Sequence, residues 1–157
     1  MGINPQIFRE YDIRGIVDED LTPEAVKTIG LGFGTRMVRA GFRRLSVGYD
    51  CRLSSPLLKR SLIEGLTATG CEVIDVGMVT TPLLYFSIHH LRMDGGVMIT
   101  GSHNPPEYNG LKLCEGNDSL YGEEIQGIRK IIGENSFEEG SGSCIEENVL
   151  PHYMEYI

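Results

Sequence analysis

Strand-like and helix-like segments alternate along most of this chain, and this alternation constrains the fold more than any other feature. Short apolar runs typical of buried strands occur at residues 8–17, 45–49, 71–76, 95–99 and 111–114. Segments with helical spacing of apolar residues occur at residues 22–40, 55–70, 80–91 and 122–132. Because strands joined through helices usually run parallel, the pattern predicts an α/β fold: a three-layer α/β/α sandwich with a mostly parallel mixed sheet.

Local signals mark the ends of these segments. Thr22 followed by Pro23 is typical of a helix start, and Gly41 favours the end of the same helix. Inside the first strand-like run we expect a polar turn at residues 12–15. Asn109 and Gly110 form a pair typical of hairpins, which predicts a chain reversal there and one antiparallel strand in the sheet.

Composition and charge exclude several classes of partner. The net charge of −8 argues against nucleic acids and anionic membranes as partners, because an acidic surface is repelled by both. The length fits about one domain, and the 41% of hydrophobic residues is ordinary for a soluble chain. The N-terminal residues lack the apolar core of a signal peptide, and no apolar run approaches the length of a membrane span. We therefore expect a cytoplasmic protein.

Neither the four cysteines nor the one histidine pair predicts a metal site. The cysteines form no C-x-x-C motif and lack zinc-like spacing, so we expect free thiols in a reducing compartment. His89 and His90 are neighbours on a predicted helix, where their side chains point in different directions, and no third ligand stands nearby in the sequence.

Residues 100–106, with the sequence TGSHNPP, place a serine in a loop directly after an apolar strand. We expect Gly101 to free the backbone before Ser102, and the predicted reversal to bring Lys112 back towards it. Ser102 is then either a nucleophile or a loop serine that bonds its own backbone, and the residues alone leave both open. The absence of a G-x-S-x-G elbow argues against a serine hydrolase.

Two motifs carry a resemblance to a known family. The loop TGSHNPPEYNGLK, residues 100–112, and the segment FREYDIRG, residues 8–15, resemble those of the phosphohexomutases, most closely the phosphomannomutase/phosphoglucomutase group. The resemblance extends from Phe8 to about Leu150 and covers the first of that family's four domains. It implies domain 1 of a phosphohexomutase over residues 1–135, a linker over 136–150, and at 151–157 the start of a helix leading to a second domain.

The resemblance also implies a reaction and a set of site residues. In this family the loop serine, here Ser102, carries a phosphoryl group that moves between the 1- and 6-positions of a hexose phosphate through a hexose 1,6-bisphosphate. Mg²⁺ binds the serine phosphate, and its other ligands come from the second domain. The remaining implied residues are His103 and Lys112 for proton transfer, Tyr11 and Arg14 for substrate and phosphate binding, and Arg52 and Asn104 as supports of the site.

Other readings remain open from the sequence. Lys112 alternates with two leucines on a strand, and from that pattern alone it is a solvated side chain. Phosphoglucosamine mutase, a non-catalytic sugar-phosphate-binding domain of the same fold, and a phosphatase or hydrolase that uses Ser102 are the rival functions. Because the family's metal ligands and sugar contacts lie in other domains, we expect the 157-residue chain to be inactive by itself, with hexose phosphates and those domains as its partners.

Overall fold

The structure, a computed structural model, describes residues 3–156 and confirms the α/β/α architecture. The strands are β1 (Ile13–Ile16), β2 (Arg44–Tyr49), β3 (Glu72–Met78), β4 (Gly95–Ile99), β5 (Tyr108–Glu115), β6 (Asp118–Ser119) and β7 (Ser143–Glu146). The helices are α1 (Pro23–Arg39), α2 (Ser55–Ala68), α3 (Thr81–His90), α4 (Glu123–Gly133) and α5 (Leu150–Tyr156), with a 3-10 turn at Pro5–Ile7.

One mixed sheet runs through the molecule in the order β1-β5-β4-β2-β3-β7, with β6 beside β5. Strand β2 pairs in parallel with β3 and β4, and β3 pairs in parallel with β7. Strand β5 is antiparallel to β1, β4 and β6. The prediction of one antiparallel strand in an otherwise parallel sheet is therefore confirmed.

Two apolar cores hold helices against the two faces of the sheet. On one face, α1, α2 and α4 pack over side chains such as Leu45, Val97 and Leu111. On the other, α3 packs over Met98 and Cys114, and α5 adds Tyr153 at the edge of that core. These side chains alternate along each strand, so one strand serves both cores.

The helix starts follow the local signals in the sequence. The Thr22 hydroxyl accepts a hydrogen bond from the backbone N–H of Ala25, and Pro23 occupies the first helical position. Gly41, just after this helix, has a φ of 86°, a conformation that suits glycine. Thr80 caps α3 in the same way.

Both predicted breaks in the strands were wrong. The turn predicted at residues 12–15 is absent, because Ile13–Ile16 forms β1 and pairs with residues 108–111 of β5. Asn109 and Gly110 lie inside β5 and do not reverse the chain. The reversal takes place earlier, in residues 100–107. The Asn109 amide donates to Ser54 Oγ at 2.8 Å and to Ser55 Oγ at 3.0 Å. Asn109 is therefore part of a buried polar network and not of a hairpin turn.

The segment that we predicted as a linker, residues 136–150, contains the edge strand β7. Its residues pair in register with β3, from Glu72 with Ser143 to Asp75 with Glu146. All four β7 side chains are exposed, so hydrophobic periodicity carried no signal for this strand. Helix α5 follows, where the sequence predicted a helix start.

The four cysteines are free, as predicted. Cys51 and Cys144 are exposed, whereas Cys71 and Cys114 are buried. Burial raises the pKa of Cys114 to about 11 and also raises the pKa of Cys71. Within residues 3–156, no helix is long and apolar enough to cross a membrane.

Candidate functional site

The serine loop lies at the carboxyl edge of the parallel strands. It joins β4 to β5, and the chain leaves β2 at Asp50 and β3 at Met78 along the same edge. A cleft of about 1120 Å³ opens there, and its lining includes Asp50, Arg52, Thr100 and Ser102. Open α/β sheets bind ligands at this edge because the strand ends and loops converge there.

Arg52 lies at the centre of the loop and binds its backbone. Its Nη1 donates to the carbonyl oxygens of Pro105 at 2.8 Å and Tyr108 at 2.9 Å. Its Nη2 donates to the carbonyl oxygens of Ser102 at 3.1 Å and Asn104 at 2.7 Å. One side chain therefore connects four carbonyl groups of the loop and of the start of β5.

Asp50 holds both Arg52 and the start of the loop. Its carboxylate accepts hydrogen bonds from Ser55 Oγ at 2.7 Å and from the backbone N–H groups of Arg52 and Gly101, each at 3.1 Å. Its Oδ2 also lies 3.5 Å from Arg52 Nε. Burial by itself would raise the pKa of Asp50, but hydrogen bonds from Ser55, Arg52, Thr100 and Gly101 outweigh it and lower that pKa below its usual value.

Ser102 adopts a left-handed backbone conformation. Its φ is 52°, and its backbone N–H donates to Thr100 Oγ1 at 3.0 Å. A non-glycine residue in this region is strained by about 1–3 kcal/mol and persists where its surroundings determine it. The Ser102 side chain is exposed. The chain thus presents a hydroxyl at the cleft on a backbone that the loop holds in an uncommon conformation.

Gly101 has a different role from the expected one. Its φ is not positive, so the left-handed residue is Ser102 and not the glycine before it. A Cβ at position 101 would overlap the guanidinium group of Arg52. The glycine is required for a close approach, because Arg52 passes directly over the backbone at this position.

Strand register places two cations on one face of the sheet beside the loop. Arg14 pairs with Gly110 and Lys112 pairs with Met98, so both project on the face that carries α3. Such diagonal neighbours on adjacent strands lie about 7–8 Å apart, with their Cβ atoms somewhat closer. Arg14 also forms an ion pair with Asp12, while its buried Nε has no hydrogen-bond partner. Within residues 3–156 the half-buried Lys112 makes no ion pair.

The other site residues implied by the resemblance, Asn104, His103 and Tyr11, make fewer contacts than Arg52. The Asn104 amide donates to the Gly101 carbonyl at 3.1 Å and closes the loop on itself. His103 is exposed, and Tyr11 is 71% exposed. Neither side chain makes a hydrogen bond within the described part of the chain. The structure therefore joins Arg52 to Ser102 and Asn104 to the neighbouring Gly101 by hydrogen bonds, and leaves His103 and Tyr11 facing solvent.

The polar network below the loop is the part that sequence reasoning missed. Asp50, Ser55 and Asn109 form a continuous hydrogen-bonded chain from the start of α2 to β5. Asp50 stands two residues before Arg52 at the end of a predicted strand, and that spacing was the available signal. The link to Asn109 had no local signal, because its partners lie more than 50 residues away.

No cluster of three or more potential metal-ligating side chains occurs among residues 3–156. His90 does lie near His152 of α5, with ring centroids 4.7 Å apart, but the two rings and Phe86 form an aromatic stack.

Comparison with known proteins agrees with this geometry. Residues 5–139 match the family model described as phosphoglucomutase/phosphomannomutase, alpha/beta/alpha domain I. A phosphomannomutase/phosphoglucomutase of Pseudomonas aeruginosa is 46% identical over 96% of this chain and 33% of its own length. A phosphoglucomutase of Neisseria gonorrhoeae is 43% identical over 99% of the chain and 34% of its own.

A solved structure is similar over nearly the whole chain. It is a phosphoglucomutase/phosphomannomutase family protein from Burkholderia thailandensis, with a TM-score of 0.95 and 40% identity, covering 98% of this chain and 35% of that one. The chain spans about a third of the length of the curated relatives it matches. It belongs to the phosphoglucomutase/phosphomannomutase family and matches the alpha/beta/alpha domain I of that family.

Proposed function

We propose that this chain is the phosphoserine-bearing part of a phosphohexomutase, with Ser102 as the phosphoryl carrier. The observation that carries the proposal is the exposed Ser102 hydroxyl, held in a left-handed loop conformation at the carboxyl edge of the sheet. Phosphoryl transfer depends mainly on positioning and charge neutralisation, and the proposal assigns the first to the hydrogen-bonded loop and the second to the two cations of the adjoining strands. The names of the relatives support the same class of reaction.

The reaction proposed for the complete gene product has two transfers. In the first, the bond between phosphorus and Ser102 Oγ breaks and this oxygen takes up a proton, while phosphorus bonds the free hydroxyl oxygen of a hexose monophosphate, whose proton passes to a base. The resulting hexose 1,6-bisphosphate turns round, and its other phosphate passes to Ser102 Oγ, which gives up its proton while the sugar oxygen gains one. No phosphate is released in the cycle.

The chain's own residues have distinct proposed roles. Arg14 and Lys112, on the sheet face beside the loop, neutralise phosphate charge. Lys112 or the exposed His103 moves the proton, since both side chains can serve as general acid or base. Tyr11 contacts the sugar phosphate. Arg52 has none of these roles, because it is paired with the Asp50 carboxylate.

Mg²⁺ is proposed to bind this chain through the phosphate on Ser102. A hard cation requires several oxygen ligands, and residues 3–156 provide no cluster for them, so the others must come from elsewhere in the protein. We therefore propose that the 157-residue chain has no mutase activity by itself. Measurable turnover by the purified chain would contradict this part of the proposal.

The test is an assay of the complete gene product with glucose 1-phosphate or mannose 1-phosphate, Mg²⁺ and the matching bisphosphate. We expect ³¹P NMR to show conversion to the 6-phosphate without free phosphate, and peptide mass spectrometry to place a phosphate on Ser102. Ser102→Ala should abolish conversion, whereas Ser141→Ala, at an exposed serine outside the site, should retain it.

The same assay separates the rival functions. Release of inorganic phosphate from the monophosphate would indicate a phosphatase, and preferred conversion of glucosamine 1-phosphate would indicate phosphoglucosamine mutase. Absence of any turnover by the complete protein, together with an unmodified Ser102, would refute the proposal in favour of a binding domain.

A further inference from the structure

Arg52 has no donor left for a ligand. Its guanidinium group carries five N–H groups. The four on Nη1 and Nη2 donate to the four carbonyl oxygens, and the one on Nε faces Asp50. Its side chain is only 16% exposed. An arginine used in this way cannot bind a phosphate without giving up contacts with the loop.

We propose that Asp50 and Arg52 form a positioning pair that sets the backbone conformation of Ser102 before phosphoryl transfer. The inference rests on the proposed function of Ser102 and assigns no contact with substrate to either residue. Arg52 binds the carbonyl of Ser102 itself, and Asp50 binds the N–H of Gly101 immediately before it. Arg52 therefore holds the peptide group that follows Ser102, and Asp50 holds the peptide group that precedes Gly101, one residue before the strained position.

Gly101 is the third part of this arrangement. A side chain there would occupy the space of the guanidinium group, so residues 101 and 52 compete for one volume. Because Gly101 has no positive φ, its backbone conformation is compatible with alanine. The expected damage from an alanine side chain is therefore the displacement of Arg52. The effects of changing these two residues should consequently be coupled.

A double-mutant cycle tests the proposal on the complete gene product. Arg52→Ala should lower kcat by about 100-fold and change KM for the hexose 1-phosphate little, because misplacement of a reacting group costs rate and not binding. Gly101→Ala should cause a similar loss by displacing Arg52. The double variant should lose no more than Arg52→Ala alone, whereas independent effects would multiply. Arg60→Ala, at an exposed arginine of α2, is the matched control.

Two further measurements separate positioning from general destabilisation. Amide hydrogen exchange of residues 100–108 should become faster in Arg52→Ala, while exchange in α1 should stay as in the parent protein. Arg52→Lys should not restore kcat, because an ammonium has three donors and cannot span four carbonyls. If Arg52→Ala fails to fold, Asp50→Asn, which keeps the arginine and the Ser55 contact, should give a smaller change of the same kind.

The outcomes distinguish this inference from the proposed function. A rise in KM at unchanged kcat, or losses that multiply in the double variant, would overturn the positioning role and leave the mutase proposal standing. Exchange in residues 100–108 that is unaffected by Arg52→Ala would also overturn it. Absence of mutase activity in the parent protein would refute the proposed function alone, since the exchange measurement reports on the loop without turnover.

Discussion

Removing the Asp50 side chain should destabilise this chain strongly although the residue lies at the rim of a cleft. The carboxylate is 20% exposed and accepts hydrogen bonds from Ser55 Oγ and from the N–H groups of Gly101 and Arg52. Asp50→Ala leaves these donors and the Arg52 charge without their acceptor. Breaking such a pair at a largely buried site costs about 3–5 kcal/mol, and entry of water from the cleft favours the lower end of this range.

The expected loss in the free energy of unfolding is therefore about 3 kcal/mol, which corresponds to a fall in Tm of roughly 6–12 °C for a domain of this size. Urea unfolding followed by circular dichroism, together with calorimetry, measures both quantities. Asp118→Ala is the control: that carboxylate is exposed on β6, and its loss should change the free energy of unfolding by less than about 0.5 kcal/mol.

The comparison of the two variants decides whether the reasoning is right. If Asp50→Ala and Asp118→Ala unfold at the same urea concentration, the hydrogen bonds of Asp50 contribute no net stability, and the network would be a consequence of the loop conformation and not its cause.

Three further predictions rest on single features of the structure. Because the pKa of Asp50 is lowered on folding, its contribution is fully present above the unfolded pKa of about 3.9 and is lost as the pH falls through the folded value; the stability difference from Asp50→Asn, measured by urea unfolding, should shrink below about pH 4. A thiol reagent applied at pH 8 to the folded chain should modify two of the four cysteines, Cys51 and Cys144, and labelling of all four before unfolding would contradict the burial of the others. Gly65→Ala should lower the free energy of unfolding by about 1–3 kcal/mol, because a Cβ there would collide with the Lys27 carbonyl where α1 packs on α2. Gly127→Ala on α4, where a Cβ would meet no other atom, should raise that free energy by about 0.5–1 kcal/mol. Equal effects of the two variants in calorimetry would contradict the close contact between α1 and α2.

Local signals predicted the helices well because helix ends are determined by nearby residues. The Thr22 cap, the proline after it and Gly41 act within a few residues of the backbone groups they satisfy. Where the same kind of reasoning was applied to Asn109 and Gly110, it was wrong. The preference of this pair for a turn is a weak energetic effect. It is outweighed by the two hydrogen bonds of the buried Asn109 amide and by the pairing of β5 with a strand on each side.

Strand β7 illustrates a different limit. None of its four side chains is buried, and its backbone pairing with β3 holds it in the sheet. A pattern method reads side chains, so a strand held by its backbone at an exposed edge has no periodicity to detect.

The sequence by itself determined the layered α/β class, the position of the helices and the identity of the serine loop, because each depends on short-range pattern or on a contiguous motif. Only the tertiary structure decided that the left-handed residue is Ser102 and not Gly101, that Arg52 fills the loop, and that Asp50 holds both. Residues 50 and 101 are far apart in the chain, and they come into contact because the parallel strands before them end at one edge of the sheet. Hydrogen bonds between such residues depend on how the strands are ordered in the sheet, and no local pattern contains that order.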